Sequence, residues 1–212
     1  MNIALILSGG SGRRFGSDLP KQYHMLLGKR VICHVIDNVL ETPSIDHVVV
    51  ALQNCDLKYL PHQLRLSISP AGDTRNHTLK TALDHIASNF DCDNLIILDA
   101  VRPLVTKDII DSYICMLNEY DAVVTCQHIT DSLGSYEMHE VDRERYYLIQ
   151  SPESYKFDLL YKYFNGDSRL TEVLHHLPVD TNKFLNFGFT SNYKITHPLD
   201  LEIVRNILKG QE

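Results

Sequence analysis

Tryptophan is missing from this 212-residue chain, and cysteine is scarce. The five cysteines, Cys33, Cys55, Cys92, Cys115 and Cys126, are odd in number, scattered and never in C-x-x-C spacing. That pattern suggests neither a disulfide framework nor a zinc site, and it fits a reducing cytoplasm. No apolar run is long enough to span a bilayer. The start, Met1 to Leu7, is too short for a signal peptide and lacks its positive leading region. Positive charge is in deficit: 20 Lys and Arg face 27 Asp and Glu, a net charge of -7. A chain this acidic does not coat nucleic acid, so any cluster of cations reads as local ligand chemistry. The 11 histidines are scattered, and His24 and the His175-His176 pair read as surface or packing groups rather than metal ligands. There is no internal repeat and no low-complexity segment.

What is present is a glycine-rich, doubly basic loop directly after an apolar strand. Asn2 to Leu7 leads into Ser8-Gly9-Gly10-Ser11-Gly12-Arg13-Arg14-Phe15-Gly16, followed by Pro20-Lys21-Gln22. Glycines let a backbone approach a ligand without a Cβ in the way. Successive N–H groups in such a loop make a concave anion site. Arginines and a lysine add positive charge where phosphates would sit. A P-loop would need G-x-x-x-x-G-K-[S/T], but Phe15 stands five after Gly10, and Ser17 rather than Lys follows Gly16. The dinucleotide fingerprint G-x-G-x-x-G fails too, because Phe15 stands three after Gly12. An ordinary turn needs one or two glycines and no clustered cations. The loop therefore reads as the seat of a nucleoside triphosphate. Arg13 and Arg14 are adjacent and point apart in extended backbone, so Arg14 is the ligand candidate and Arg13 a surface or salt-bridge group.

Short apolar runs alternate with helical periodicity. Strands are expected at Ile3–Leu7, His47–Leu52, Leu64–Ile68, Leu95–Leu98 and Ala122–Cys126, and helices at Val31–Leu40, Asn76–Asn89 and Lys107–Glu119, the last capped by Thr106. Further on come a helix near Lys156–Phe164, a strand near Phe184–Phe189 and a helix near Leu199–Leu208 opened by Pro198. The expected architecture is one α/β domain over residues 1–212, a Rossmann-like, mostly parallel sheet with helices on both faces. Ligands of such sheets sit at the carboxyl ends of the strands. That places the glycine loop and Asp99 at one edge. From Asp131 the chain turns polar and then runs through Tyr146-Tyr147-Leu148-Ile149. This reads as a protruding β-arm over about 131–150.

Six ordered motifs carry a family resemblance over almost the whole chain. They are G-G-x-G-x-R followed by Pro20-Lys21; Gly72-Asp73-Thr74-Arg75 with Thr78; Asp99-Ala100-Val101-Arg102-Pro103; Asp131-Ser132; Arg143 seven residues before Gln150-Ser151-Pro152-Glu153; and Ser191-Asn192-Tyr193-Lys194-Ile195-Thr196. Together they resemble the nucleotidyltransferases of the nucleotide-sugar pyrophosphorylase type, above all the cytidylyltransferases that make CDP-methylerythritol and CDP-ribitol. The resemblance implies a triphosphate cradle of backbone N–H groups from Ser8, Gly9, Gly10, Ser11 and Gly12, with Leu7 beside it. It implies catalytic neutralisation by Arg14, Lys21 and Lys194, cytosine and ribose contacts from Gly72, Asp73, Arg75 and Thr78, and Mg²⁺ held by Asp99. Arg102, Ser132 and Arg143 are implied as acceptor contacts. In the family the arm crosses to a partner subunit, which implies a homodimer with Arg143 supplied from the partner.

The implied reaction joins CTP to a small polyol phosphate and releases pyrophosphate. A phosphate monoester is largely ionised at neutral pH, its second pKa being about 6, so the acceptor needs no general base. Asn76, the Asp18-Leu19-Pro20-Lys21 stretch and Ser191-Asn192 lean toward a ribitol or glycerol phosphate acceptor and surface polysaccharide synthesis. Asp142-Arg143 leans toward methylerythritol phosphate and isoprenoid synthesis. The expectation ranks the alditol phosphate first and methylerythritol phosphate second. A CTP-binding regulatory protein without turnover is the rival from another class. Leu98, where the family often carries His, and Glu172, in the Thr171-Glu172-Val173-Leu174 version of the family's T-D-x-[A/S/C] segment, are the departures that admit it; Glu153 also replaces a usual Gln.

Overall fold

The computed structural model describes residues 1–10, 12–61, 64–137 and 139–210. Four strands, β1 (Asn2–Leu7), β4 (His47–Leu52), β5 (Leu66–Pro70) and β6 (Asn94–Asp99), run parallel in the order β5-β4-β1-β6. Beyond β6 lie β8 (Tyr147–Lys156), β7 (Ala122–His128) and β9 (Lys183–Asn186), completing a seven-stranded sheet. Only β8 runs against the rest, antiparallel to both β6 and β7. A separate two-stranded ribbon pairs β2 (Met25–Leu26) with β3 (Lys29–Arg30).

Alternation along the buried strands divides the core in two. Ile3 and Leu5 of β1, with Val49, Leu95 and Ile97, face α2 (Arg75–Asn89) and α4 (Phe157–Tyr163). Ala4 and Ile6, with Val48, Val50, Ile96 and Leu98, face α1 (Val31–Leu40) and α3 (Lys107–Met116). Near-continuous burial on both faces is what a parallel sheet between helical layers requires. The helix starts are locally encoded: Thr74 caps α2 through His77 N–H, and Thr106 caps α3 through Ile109 N–H. Each such cap is worth about 1 kcal/mol.

A third, smaller core positions the site. Phe15, Leu26, Val31, Val101, Leu104 and Ile195 bury themselves against Leu201 and Val204 of α5 (Pro198–Lys209), which opens on Pro198 as expected. Three segments that carry motif residues are thereby fastened to one helix. The Ile195 N–H to Val101 C=O bond of 2.9 Å ties two of them directly.

The differences from the expected elements have physical causes. β5 begins at Leu66 because Leu64 is fully exposed. α3 ends at Met116, where Leu117, Asn118 and Glu119 close tight turns onto Ile114, Cys115 and Met116. The long strand β8 is absent from the expectation, because Pro152 and Glu153 interrupt its apolar pattern. Its register against β7 jumps between Val124 and Thr125, so Ser151 and Pro152 sit in a bulge, the position where a sheet interior tolerates proline. Past the last β6 and β9 partners, Cys126–His128 and Tyr147–Ile149 pair only with each other, and the intervening chain carries exposed Leu133, Tyr136 and Tyr146. Among the described residues no helix is long and apolar enough to cross a membrane.

Candidate active site

The carboxyl ends of β1, β4, β5 and β6 open into one cleft of about 740 Å³. Leu7 ends β1 and Ser8 to Gly10 follow it, Gln53 follows β4, Gly72 to Arg75 come after β5, and Asp99 ends β6 with Ala100 and Val101 following. From β1 the chain crosses one way to β4 and β5 and the other way to β6. The cleft therefore lies at the switch point of the strand order, where such sheets bind ligands.

Thirteen expected residues meet there: Leu7, Ser8, Gly9, Gly10, Gly12, Arg14, Lys21, Gly72, Asp73, Arg75, Thr78, Asp99 and Lys194. Ser11 and the side chain of Arg13 lie outside the described residues. Gly12 has φ +68°, and a Cβ there would stand 3.1 Å from the Lys21 backbone nitrogen. A side chain would be strained in that conformation and would push Lys21 away. A Cβ on Gly9 would stand 2.7 Å from Ala71 Cβ, so the loop can lie this close to the β5 end only as glycine. On the opposite wall Thr78 Oγ1 accepts from Gly72 N–H at 3.1 Å and holds that turn shut.

The electrostatics centre on Asp99. Its Oδ2 takes Lys194 Nζ at 2.8 Å and Arg102 Nε at 3.3 Å. Burial pushes this carboxyl up, but the Lys194, Arg102 and Arg75 charges outweigh it and hold the pKa down at about 2. Its backbone N–H donates to Ser151 Oγ at 2.7 Å, which couples the end of β6 to the β8 bulge. Lys21 is half-buried between cations. Burial, then the charges of Lys194 and Arg14, lower its pKa to about 8. An anion entering the pocket is attracted by all three cations and restores part of the stabilisation that burial takes from the Lys21 charge.

Among the described residues no group of three His, Cys, Asp or Glu could hold a metal ion by itself. Asp99 offers a carboxylate at the end of β6, and both of its cationic partners bind the same oxygen. That suits Mg²⁺, which takes one or two carboxylates and completes its shell with substrate phosphates and water.

Three expected acceptor residues stand apart from the cleft lining. Arg102 is 5% exposed, and its guanidinium is occupied by Asp99 and by the Asn192 carbonyl at 2.7 Å. In this chain it braces Asp99 and the Lys194 segment. Ser132 is exposed in the arm, and Arg143 donates to Thr130 C=O at 2.8 Å and pairs with Glu144. Sequence reasoning missed Gln22, Gln53, Thr74, Ala100, Val101 and Thr196, which also line the cleft. Four of them lie inside quoted motifs, Gln22 directly follows Lys21, and Gln53 ends a strand at the ligand edge.

Arg75 has a partner that no pattern announced. Its guanidinium donates to Thr171 C=O at 3.0 Å and lies 3.6 Å from Glu153 Oε1. Glu153 is 1% exposed on β8, and Tyr155 O–H donates to its other oxygen at 2.5 Å. Burial pushes the Glu153 pKa up to about 7 against the pull of Arg75 and Tyr155.

A family model described as 2-C-methyl-D-erythritol 4-phosphate cytidylyltransferase matches residues 2–210. The enzyme of that name from Thermosipho melanesiensis is 31% identical over 96% of this chain and 96% of its own length. Its Caldicellulosiruptor saccharolyticus counterpart is 32% identical, over 89% of this chain and 92% of its own. The crystal structure of 4-diphosphocytidyl-2C-methyl-D-erythritol synthase from Anaerococcus prevotii shares the fold at a TM-score of 0.80, with 20% identity over 98% of this chain and 96% of that one. These relatives reverse the expected order of acceptors, since each is named for methylerythritol and none for an alditol. The misleading signals have structural duties. Buried Asn76 donates to the Ser168 and Leu170 carbonyls, and buried Asn192 donates to Ser151 C=O and Gln150. The chain is a nucleotidyltransferase, and it belongs to the 2-C-methyl-D-erythritol 4-phosphate cytidylyltransferase family.

Proposed function

We propose that this protein transfers CMP from CTP to 2-C-methyl-D-erythritol 4-phosphate, giving the CDP-methylerythritol product of isoprenoid synthesis and pyrophosphate. The observation that carries the reading is the convergence of Arg14, Lys21 and Lys194 with the glycine loop on one cleft at the sheet switch point. An oxygen of the acceptor phosphate attacks the α-phosphorus of CTP, the bond from that phosphorus to the bridging oxygen breaks, and pyrophosphate leaves. No proton transfer is needed, so the chain's task is to bring two anions together and absorb growing charge. Arg14 and Lys21 neutralise the β- and γ-phosphates, and the loop N–H groups hold them. Lys194, fixed by Asp99, faces the α-phosphate. Mg²⁺ held by Asp99 would supply further neutralisation of the phosphate oxygens.

Gly72, Asp73, Arg75 and Thr78 form the wall for cytosine and ribose. Ser132 and Arg143 reach the acceptor across a homodimer, in which the 131–150 arm covers its exposed Leu133, Tyr136 and Tyr146 on a second copy. Arg102 acts on the acceptor side through Asp99. The setting is the cytoplasm, in keeping with five cysteines left as thiols.

The test is pyrophosphate release with CTP, Mg²⁺ and three acceptors: methylerythritol phosphate, ribitol 5-phosphate and glycerol phosphate. Turnover is expected with the first alone, and the mass of the CDP product identifies it. Turnover with ribitol 5-phosphate instead would restore the alditol reading. CTP binding with no pyrophosphate from any acceptor would make the chain a sensor. Calorimetry should find ATP and GTP much weaker than CTP.

A further inference from the structure

We infer that Gln22 is a positioning residue that sets the anion-binding face of the glycine loop, acting through the backbone and not on the ligand. The inference rests on the reading of that loop as the triphosphate seat. Gln22 lies in the short turn Lys21–Tyr23 and is 3% exposed, although it stands beside an open cleft. Its Nε2 donates to the Ser8 carbonyl at 3.0 Å and to the Gly10 carbonyl at 3.0 Å. A side-chain amide nitrogen has two hydrogens, and both are taken. Gln22 therefore has no donor left for a phosphate.

Its effect lies in the direction of the peptide groups. In a trans peptide the carbonyl of one residue and the N–H of the next point opposite ways. Drawing the Ser8 carbonyl back to Gln22 turns the Gly9 N–H away from Gln22. Among the described residues the Gly9 and Gly10 N–H groups have no protein partner, so they remain as donors. Both residues are glycine, and Gly10 has open space where a Cβ would be, so nothing in the loop's own side chains prevents these peptides from turning over. A turned peptide would present a carbonyl oxygen to the phosphates. The same turn carries Lys21, whose backbone nitrogen packs against Gly12. Tyr23, the third residue of the turn, places its hydroxyl 3.3 Å from Ser8 Oγ. One three-residue turn thus delivers the cation and orients the Gly9 amide that shares its anion.

The test uses Gln22→Met, which keeps length and volume and removes both donors. Binding of CTP, pyrophosphate and CMP is measured by calorimetry on wild type and variant. Two lost hydrogen bonds predict about ten- to hundredfold weaker CTP and pyrophosphate, with CMP unchanged because it lacks the phosphates that the loop holds. Equal weakening of CMP and CTP would mean general damage and overturn the inference, as would no weakening at all. If Gln22→Met does not fold, Gln22→Glu gives an independent reading. Its carboxylate donates nothing, whereas its protonated form donates one bond. The deficit in CTP affinity relative to wild type should shrink as pH falls from 8 to 5.5, and a deficit constant across that range would overturn the inference. The controls separate the two claims. A wild type that bound neither CTP nor pyrophosphate would remove the triphosphate reading along with this one. A wild type that bound both, beside an equally tight variant, would remove this one alone.

Discussion

The cleft wall at the ends of β1, β4, β5 and β6 and the β7–β8 ribbon are built by opposite means. In the wall several functional groups are braced by buried ones: Lys194 by Asp99, Asp99 by Arg102 and Ser151, the glycine loop by Gln22 and Tyr23. In the ribbon, Ser132 is exposed and, among the described residues, Arg143 is held only by Thr130 and its neighbour Glu144, beside apolar side chains that face solvent. The wall is organised within one chain. The ribbon and the chain that joins its strands leave Leu133, Tyr136 and Tyr146 exposed. On the proposed function, the nucleotide half of the reaction would be preorganised by the fold, whereas the acceptor half would depend on assembly.

The contrast can be broken most severely at Lys21. Lys21→Ala is expected to lower turnover about 10²- to 10³-fold with an unchanged melting temperature, as read by pyrophosphate release and thermal unfolding. Normal turnover would remove the wall's central cation from the mechanism. Because burial and its cationic neighbours hold Lys21 near pKa 8, its charge is present below that pH and lost above it. The wild-type kcat/KM for CTP should therefore decline as pH rises through about 8, and Lys21→Ala should lose that limb.

Asp99→Asn should damage both activity and stability, because it leaves the buried Arg102 charge without its partner. The expected cost is roughly 3–5 kcal/mol, measured by urea unfolding. Asp99 is held below its ordinary 3.8, so its contribution is present above that pH and lost as pH falls toward about 2. An unaltered unfolding midpoint would show that the brace is not needed.

In the ribbon, Arg143→Ala should raise the acceptor KM about ten- to hundredfold and leave the CTP KM alone. At acceptor concentrations below KM, mixing that variant with Lys21→Ala should then give more turnover than the two variants measured separately, since one intact site forms across a mixed dimer. Mixtures that show no such gain after subunit exchange would place Arg143 in its own subunit's site or outside any site.

The smallest effect is expected at Glu153→Gln. Glu153 has a raised pKa, so the fold binds a proton that the unfolded chain has released between 4.5 and about 7. Stability from this group is lost as pH rises through that window. The variant should be more stable than wild type at pH 8 by about 1–3 kcal/mol, with the gap closing by pH 4, as urea titrations would show. A variant less stable at pH 8 would mean that the Arg75 pair outweighs the burial.

Most of the wall could be read from the chain because its residues come in short motifs beside apolar strands. Local rules suffice for Gly12, Lys21 and Asp99: a glycine where φ is positive, a lysine after a proline, an acid closing a buried strand. β8 and Glu153 could not be read that way. A strand broken by proline fits only because β7 shifts its register opposite, and that match joins residues distant in the chain. Asn76 and Asn192 misled for the same reason, since their hydrogen-bond partners lie some 40 or more positions away.

What the sequence determined by itself is the alternation of elements, the edge of the sheet that binds, and the sign of charge waiting there, because periodicity, turn chemistry and charge are properties of neighbours in the chain. The tertiary structure alone decided which arginines line the cleft and which is buried as a brace, where Lys21 loses part of its hold on its proton, and how one glutamine holds a loop. Those outcomes depend on desolvation and on distances between segments that touch only after the chain has folded.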